Sequence, residues 1–146
     1  MYEIIKTLHS YFVYCVVVML LIAIGNAVIG FLTNKKFTLK DLRISLFAIV
    51  FSHLQLLMEI ILCFTSIKGF KAIKANGTRL ESADHLLTIE HLIVGILAIV
   101  FITIGWSKHK KQETGKRAYE KIILFYSTGL LLLLLRLPWK TWLNLY

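Results

Sequence analysis

The segment Tyr11–Leu32, YFVYCVVVMLLIAIGNAVIGFL, decides the fold class because it contains no charged residue. As an α-helix rising about 1.5 Å per residue, it is long enough to cross a hydrocarbon layer of roughly 30 Å. It is too long for the apolar core of a signal peptide and lacks a small-residue cleavage site. The segment is therefore predicted to be a retained membrane span.

Three further apolar segments follow it, at Ser45–Ser66, Leu86–Trp106 and Ile122–Leu137. With their flanking residues, they predict transmembrane helices over about residues 8–32, 44–67, 86–106 and 119–139. Backbone polar groups in lipid must be satisfied within the protein, and short loops make consecutive helices antiparallel neighbours. The predicted fold is an all-α integral membrane protein, a single up-down bundle of four transmembrane helices over residues 1–146.

The composition supports a membrane protein and explains the positive charge. Apolar residues make up 58% of the chain and charged residues 17%, and the net charge is +9. Ten of the 17 basic residues lie in and around the first and third loops: Lys35, Lys36, Lys40, Arg43, Lys108, Lys110, Lys111, Lys116, Arg117 and Lys121. By the positive-inside rule these loops are cytoplasmic and both termini are outside. The expected partners are the lipid bilayer and other subunits of a membrane complex, with no nucleic acid.

Polar and small residues inside the spans follow one stripe of each helix. In the second segment a 3-4-3-4 spacing joins Ser45, Ala48, Ser52, Gln55 and Glu59. The same spacing in the other segments passes through the following residues: His9, Ala23, Asn26, Gly30, His91, Gly95, Ala98, Gly105, Tyr119, Tyr126, Gly129 and Arg136. Small residues let membrane helices approach closely, and polar residues hydrogen-bond between them. These stripes are predicted to form the bundle interior.

The ionisable residues on or beside these stripes are the candidate functional residues. An intramembrane Glu or His costs roughly 2 to 3 kcal/mol or more to insert and usually faces a partner, a cavity or a cofactor. Two histidines on facing helices can ligate the iron of a b-type haem, which makes His91, His53 and His9 candidate axial ligands. His91 is the most favoured ligand because its predicted depth in the bilayer lies between those of His9 and His53. His91 is expected to lie about 9 Å from His53 and about 10 Å from His9 along the bundle axis.

Three other polar residues fit supporting roles around such a haem. Gln55 and Glu90 are candidates to orient the imidazoles through their second ring nitrogen. Arg136, near the end of the fourth span, is a candidate partner for a haem propionate.

Other interpretations of these residues remain open. The three histidines could bind copper or zinc, and Glu59, at the same depth as His91, could form an acid–base pair for proton or quinone chemistry. Alternatively, the pair only fixes helix register by hydrogen bonding.

His85 and His109 are predicted to be solvated, and Asn76-Gly77-Thr78 is predicted to be a turn that also fits the N-x-[ST] pattern. Without a nucleophile–base pair or phosphate loop, an electron carrier or accessory subunit is favoured over a stand-alone enzyme.

Several short motifs together resemble a known family. They are Leu8-His9-Ser10, Ser52-His53-Leu54-Gln55-Leu56-Leu57, and Glu90-His91 followed by Gly105 and a Lys-rich loop. In order and spacing over nearly the whole chain, they resemble a family of small bacterial four-span membrane proteins often labelled "cytochrome b-like" and otherwise uncharacterised. Glu59 departs from that pattern, in which a small residue is usual.

The resemblance implies that His9, His53 and His91 form one functional set with haem b as cofactor, in a bacterial cytoplasmic (inner) membrane. The expected function is haem-based electron transfer, or an accessory role in a respiratory or haem-handling complex. The alternative is a non-catalytic structural subunit whose buried His and Glu residues only fix helix packing.

Overall fold

The computed structural model describes residues 1–65, 83–137 and 139 of the chain, without the side chains of residues 83–88. The described part consists of four α-helices and contains no strand, and short loops join the first helix to the second and the third to the fourth. The helices are α1 (Tyr2–Leu32), α2 (Leu39–Thr65), α3 (Ala83–His109) and α4 (Gly115–Leu135). All four are long and apolar enough to cross a membrane. The predicted all-α four-helix fold of a multi-pass membrane protein is confirmed.

The helices pack in a ring that follows their order in the chain. Helix α1 contacts α2, α2 contacts α3, α3 contacts α4, and α4 returns to α1. Helices α1 and α3 therefore face each other diagonally across the bundle. This is the arrangement expected when each helix runs antiparallel to the one before it.

The helices begin earlier than the predicted spans because polar first turns also adopt helical structure. Helix α1 begins at Tyr2 and α2 at Leu39, several residues before the predicted boundaries. Helix α4 begins after Thr114, whose hydroxyl accepts a hydrogen bond from the Arg117 amide (3.4 Å). It ends at Leu135, short of the predicted residue 139. The sequence continues to Pro138, and the residue before a proline disfavours the helical conformation.

Much of each predicted interior stripe is buried, whereas His9, Asn26, His91 and Arg136 on those stripes are half-buried. In α2 the buried residues include Ser45, Ala48, Ser52 and Gln55, and in α4 Tyr119, Ile122, Tyr126 and Gly129. Apolar side chains such as those of Leu46, Phe47, Val50 and Leu54 are exposed on the outer face of α2, where a bilayer supplies an apolar surrounding.

The two ends of the bundle are packed differently. We call the end with the loops 33–38 and 110–114 the basic end, and the opposite end, where α1 begins and α4 finishes, the histidine end. Buried residues of α2 run only from Asp41 to Gln55, and those of α4 only from Ala118 to Leu130. In α1 the first buried residue is Val13, and in α3 the first among the described side chains is Gly95. The close-packed core therefore fills the basic half of the bundle.

Candidate functional site

A buried carboxylate, Asp41, organises the basic end. Its side chain is 1% exposed. It accepts hydrogen bonds from Asn26 Nδ2 (2.8 Å), the Tyr119 hydroxyl (2.9 Å), and both the amide (2.8 Å) and the hydroxyl (2.6 Å) of Thr38. Lys35 Nζ lies 3.4 Å from Oδ1. Both carboxylate oxygens are thus paired, and the Asp41 cluster (Asn26, Lys35, Thr38, Asp41 and Tyr119) ties together α1, α2, α4 and the first loop.

The Asp41 cluster was not predicted because Asp41 falls within the first predicted loop. A local signal for it exists in Thr38-Leu39-Lys40-Asp41, which has the form of a capping box. In such a motif a hydroxyl residue precedes the helix, and an acidic residue three positions later bonds back to its amide. The Thr38–Asp41 hydrogen bonds have this geometry. The contacts to Asn26 and Tyr119 join distant parts of the chain and have no local signal.

The prediction that His109 is solvated is wrong. His109 is 3% exposed, and its ring lies 5.3 Å from the ring of Phe37 and 4.7 Å from that of Trp106. Helix α3 continues to His109, beyond its predicted end at residue 106, and the first loop places Phe37 over the imidazole. The side chain of His85 and the Asn76-Gly77-Thr78 sequence lie outside the described parts of the structure.

The histidine end contains a cavity of about 270 Å³, which we call the histidine cavity. Its polar lining consists of His9, Ser10, Gln55, Glu59, His91 and Arg136, and its apolar wall includes Val13, Leu132 and Leu133. All four helices contribute. The cavity lies where the close-packed core ends, so its side chains have room that those of the Asp41 cluster lack.

His9 and His91 face each other across the histidine cavity. Their ring centroids are 6.4 Å apart, and the ring planes meet at 72°. The two rings come from the diagonal helices α1 and α3. The two rings are therefore no more than 6.4 Å apart along the bundle axis, whereas the helix rise predicts an offset of about 10 Å between the two residues. That expectation centred the first span on Tyr11–Leu32, whereas α1 extends to Tyr2, which brings His9 deeper into the bundle.

Gln55 is the polar neighbour of His9. Its Nε2 lies 3.0 Å from His9 Nδ1 and donates a hydrogen bond to the His9 carbonyl (3.2 Å). The Gln55 side-chain oxygen is buried and has no hydrogen-bond partner among the described residues. The structure therefore places Gln55 where it can orient the His9 imidazole.

Glu59 is the acidic neighbour of His91. Its Oε1 lies 3.5 Å from His91 Nε2, which is long for a hydrogen bond, and the Glu59 side chain is 12% exposed. This contact agrees with the equal depth predicted for the two residues. Oε1 has no hydrogen-bond partner within the described part of the chain. On its other side the carboxylate lies against Gly95, where an added Cβ would be 2.6 Å from Oε2.

Arg136 and Glu90 form an ion pair at the edge of the histidine cavity. Arg136 Nη2 lies 2.7 Å from Glu90 Oε2, and the two side chains are 26% and 51% exposed. Glu90 is therefore placed beside the guanidinium and makes no described hydrogen bond to an imidazole. Arg136 carries its charge at the open side of the histidine cavity.

His53 lies away from the histidine cavity, on the exposed face of α2. Its Nδ1 donates to the Ile49 carbonyl (2.8 Å), and its Nε2 lies 3.4 Å from Thr103 Oγ1. Thr103 is three turns of α3 closer to the basic end than His91. No group of three or more His, Cys, Asp or Glu side chains in the described ranges is placed to hold a metal ion. The structure thus brings together His9, Gln55, Glu59 and His91, but not the three histidines.

Comparisons of this chain with protein-family models, curated proteins and solved structures found no match. Any functional assignment rests on the geometry of its own residues.

Proposed function

We propose that this protein binds a b-type haem through His9 and His91 and acts in electron transfer or as an accessory subunit of a respiratory or haem-handling complex. The observation that carries the proposal is the 6.4 Å separation of the two imidazole rings. His9 and His91 would be the two residues that hold the haem iron, because their imidazoles face each other across the histidine cavity. Membership of the cytochrome b-like family is part of this proposal.

The residues around the pair suit the chemistry of haem ligation. A ligating imidazole donates its second ring N–H to an oxygen. The unpartnered Glu59 Oε1 lies beside His91, and the side-chain nitrogen of Gln55 lies beside His9. The Gln55 amide is within hydrogen-bond distance of His9 Nδ1 and would hold the orientation of the imidazole. Arg136, which is paired with Glu90 at the edge of the cavity, would also balance the charge of a propionate.

Haem binding requires the histidine end to open. The volume of about 270 Å³ is slightly below the range of roughly 300–1,000 Å³ typical of small-molecule sites. The helical turns at the histidine end contain no fully buried residue in the described ranges. Moving these turns apart therefore disrupts few packing contacts. The close-packed basic half would hold the bundle together during this change.

The chain's own residues would set the environment of the cofactor. Bound haem supplies one-electron transfer, at a potential that depends on its ligands and surroundings. His9 and His91 would bind as neutral imidazoles, and Leu132 and Leu133 would limit access of water from one side. By the positive-inside rule the basic end is cytoplasmic in a bacterial inner membrane, so the histidine cavity would lie in the outer leaflet.

An absorbance spectrum tests this proposal. The protein is expressed with added haem precursor, purified, and measured reduced minus oxidised. The wild type should show a Soret and an α-band, and His9→Leu or His91→Leu should remove or strongly shift both. His53→Leu is the matched control, because it removes a span histidine outside the histidine cavity and should leave the spectrum unchanged.

Absence of these bands in folded wild-type protein supplied with ample haem overturns the proposal. That result would favour the alternative in which the polar residues only fix helix packing. Bands that depend on His53 and His91, but not on His9, would instead assign a different ligand pair.

A second candidate function is proton transfer to a quinone-like ligand, and it is favoured by the buried, unpartnered Glu59 Oε1 beside His91. A carboxylate and an imidazole at this distance can pass a proton to a ligand bound beside them. Calorimetric titration with a short-chain quinone would test this candidate. Glu59→Gln should weaken binding at least tenfold relative to the exposed control Glu120→Gln, and equal affinities would exclude it.

A further inference from the structure

A second depression lies between α2 and α3, on the outside of the bundle. It has a volume of about 460 Å³, and we call it the α2–α3 groove. Its floor is apolar, formed by Leu56, Ile96, Ile99, Val100 and Ile104. Two polar side chains, His53 and Thr103, lie 3.4 Å apart along this apolar stretch. The α2–α3 groove is separate from the histidine cavity, with which it shares no lining residue.

The charge along the α2–α3 groove is concentrated at one end. Lys108 and Lys111 line it at the basic end, beside Ser107, and none of its lining residues in the described part of the chain is acidic. Both lysines are exposed, and Lys108 Nζ also lies 5.3 Å from the ring centre of Phe125. An occupant of the groove therefore meets two positive charges and a hydroxyl at one end and only apolar side chains along most of the rest.

The length and depth of the α2–α3 groove match one leaflet of a bilayer. Along α3 it runs from Ile96 to Ser107, about 16 Å at 1.5 Å per residue. Half of a hydrocarbon core is about 15 Å thick. Ile96, where the groove begins, is the central residue of α3 (Ala83–His109), so the groove extends from the middle of the bilayer to the interface where the lysines lie.

We propose that the α2–α3 groove binds an anionic phospholipid of the leaflet at the basic end. One acyl chain lies against Ile96, Val100 and Ile104, and the phosphate is held by Lys108 and Lys111. The proposal rests on two matches. The apolar part of the groove is as long as one leaflet is thick, and the lysines at its end can attract an anionic lipid headgroup at the membrane surface. It is independent of haem binding, since it uses no residue of the histidine cavity.

Native mass spectrometry tests the headgroup contact. Protein released from nanodiscs containing equal amounts of phosphatidylglycerol and phosphatidylcholine with identical acyl chains should retain phosphatidylglycerol preferentially. The double variant Lys108→Gln/Lys111→Gln should bind phosphatidylglycerol about 30-fold more weakly, at roughly fivefold per lysine. The control Lys36→Gln/Lys40→Gln removes two exposed charges at the same end, outside the groove, and should keep the preference.

A groove-filling variant tests the acyl-chain contact. Val100→Trp should reduce retention of both lipids, because the indole occupies the space of the chain. Leu97→Trp adds the same side chain to an exposed position of α3 outside the groove and should leave retention unchanged. The proposal is overturned by equal retention in the double-lysine variant and wild type, or by an equal loss in the Lys36/Lys40 control. A change of oligomeric state with Val100→Trp, without loss of lipid, would also overturn it, since the groove would then be a protein interface.

Discussion

Asp41 and Glu59 are both carboxylates on the inward side of α2, but they lie at opposite ends of the bundle and differ in their partners. Asp41 accepts four hydrogen bonds, from Asn26, Thr38 and Tyr119, and contacts Lys35. Glu59 has one contact at 3.5 Å, to His91, and its Oε1 has no hydrogen-bond partner in the described ranges. Removing one partner from a fully paired buried charge is strongly destabilising, whereas a poorly paired buried carboxyl group is a candidate for binding a ligand.

The same contrast holds for the surrounding packing. Residues around Asp41 are close-packed, and the ring of Tyr119 fits against Gly30, where any Cβ would collide with it. Around Glu59 there is a cavity of about 270 Å³ and few buried neighbours. We infer that the basic half provides stability and the histidine half provides the site. The following substitutions test this division.

The largest loss of stability is expected for Asp41→Ala. It leaves the donors of Asn26, Thr38 and Tyr119 without their acceptor in a buried place, and should lower the free energy of unfolding by about 3 kcal/mol. Unfolding by SDS, followed by far-UV circular dichroism, measures the change. The control is Lys40→Ala, an exposed neighbour on the same helical turn, which should not measurably change the free energy of unfolding. If Asp41→Ala also leaves the free energy of unfolding unchanged, the Asp41 cluster does not stabilise the fold.

A smaller loss is expected for Gly30→Ala. The new methyl group would press on the Tyr119 ring, which is held by its hydrogen bond to Asp41, so the free energy of unfolding should fall by about 2 kcal/mol. Gly25→Ala, on the same helix, is the control because no atom lies within 4 Å of the added Cβ. Its stability should be unchanged or slightly higher. Equal effects of the two substitutions would show that the basic end is not closely packed around Tyr119.

The smallest effect on stability is expected for Glu59→Gln. The amide has nearly the same shape and a lower cost of insertion into lipid, and few contacts are lost, so the free energy of unfolding should change by less than about 1 kcal/mol. Asp41→Asn makes the same chemical change on the same helix and should be clearly more destabilising. If Glu59→Gln is the more destabilising of the two, the histidine half contributes to stability and the division between the halves is wrong.

Much of the fold could be predicted from the sequence because it depends on local patterns. Uninterrupted apolar segments predict helices in lipid, and the 3-4-3-4 stripe of α2, from Ser45 to Gln55, identifies its buried face. The pairing of Glu59 with His91 followed from their similar depth. Helix geometry and the thickness of the bilayer are sufficient to predict these features.

The remaining features depend on how the helices shift and rotate against one another, which no single segment encodes. His9 lies deeper than predicted because α1 extends to Tyr2, and His53 lies on the face of α2 beside Thr103. His109 is buried because Phe37, from a distant part of the chain, covers it. Such contacts are tertiary, so they could not be predicted from hydrophobicity or spacing.

The central claim is that the histidine half of the bundle binds haem and that the basic half stabilises the fold. Hydrogen–deuterium exchange with and without added haem tests this claim most directly. In nanodiscs, haem should slow exchange at least tenfold in the outer turns of α1 and α2, residues 2–12 and 56–65, while residues 41–55 keep the slow exchange they have without haem. Unchanged exchange at the histidine end, or protection that appears only around Asp41, would contradict the account.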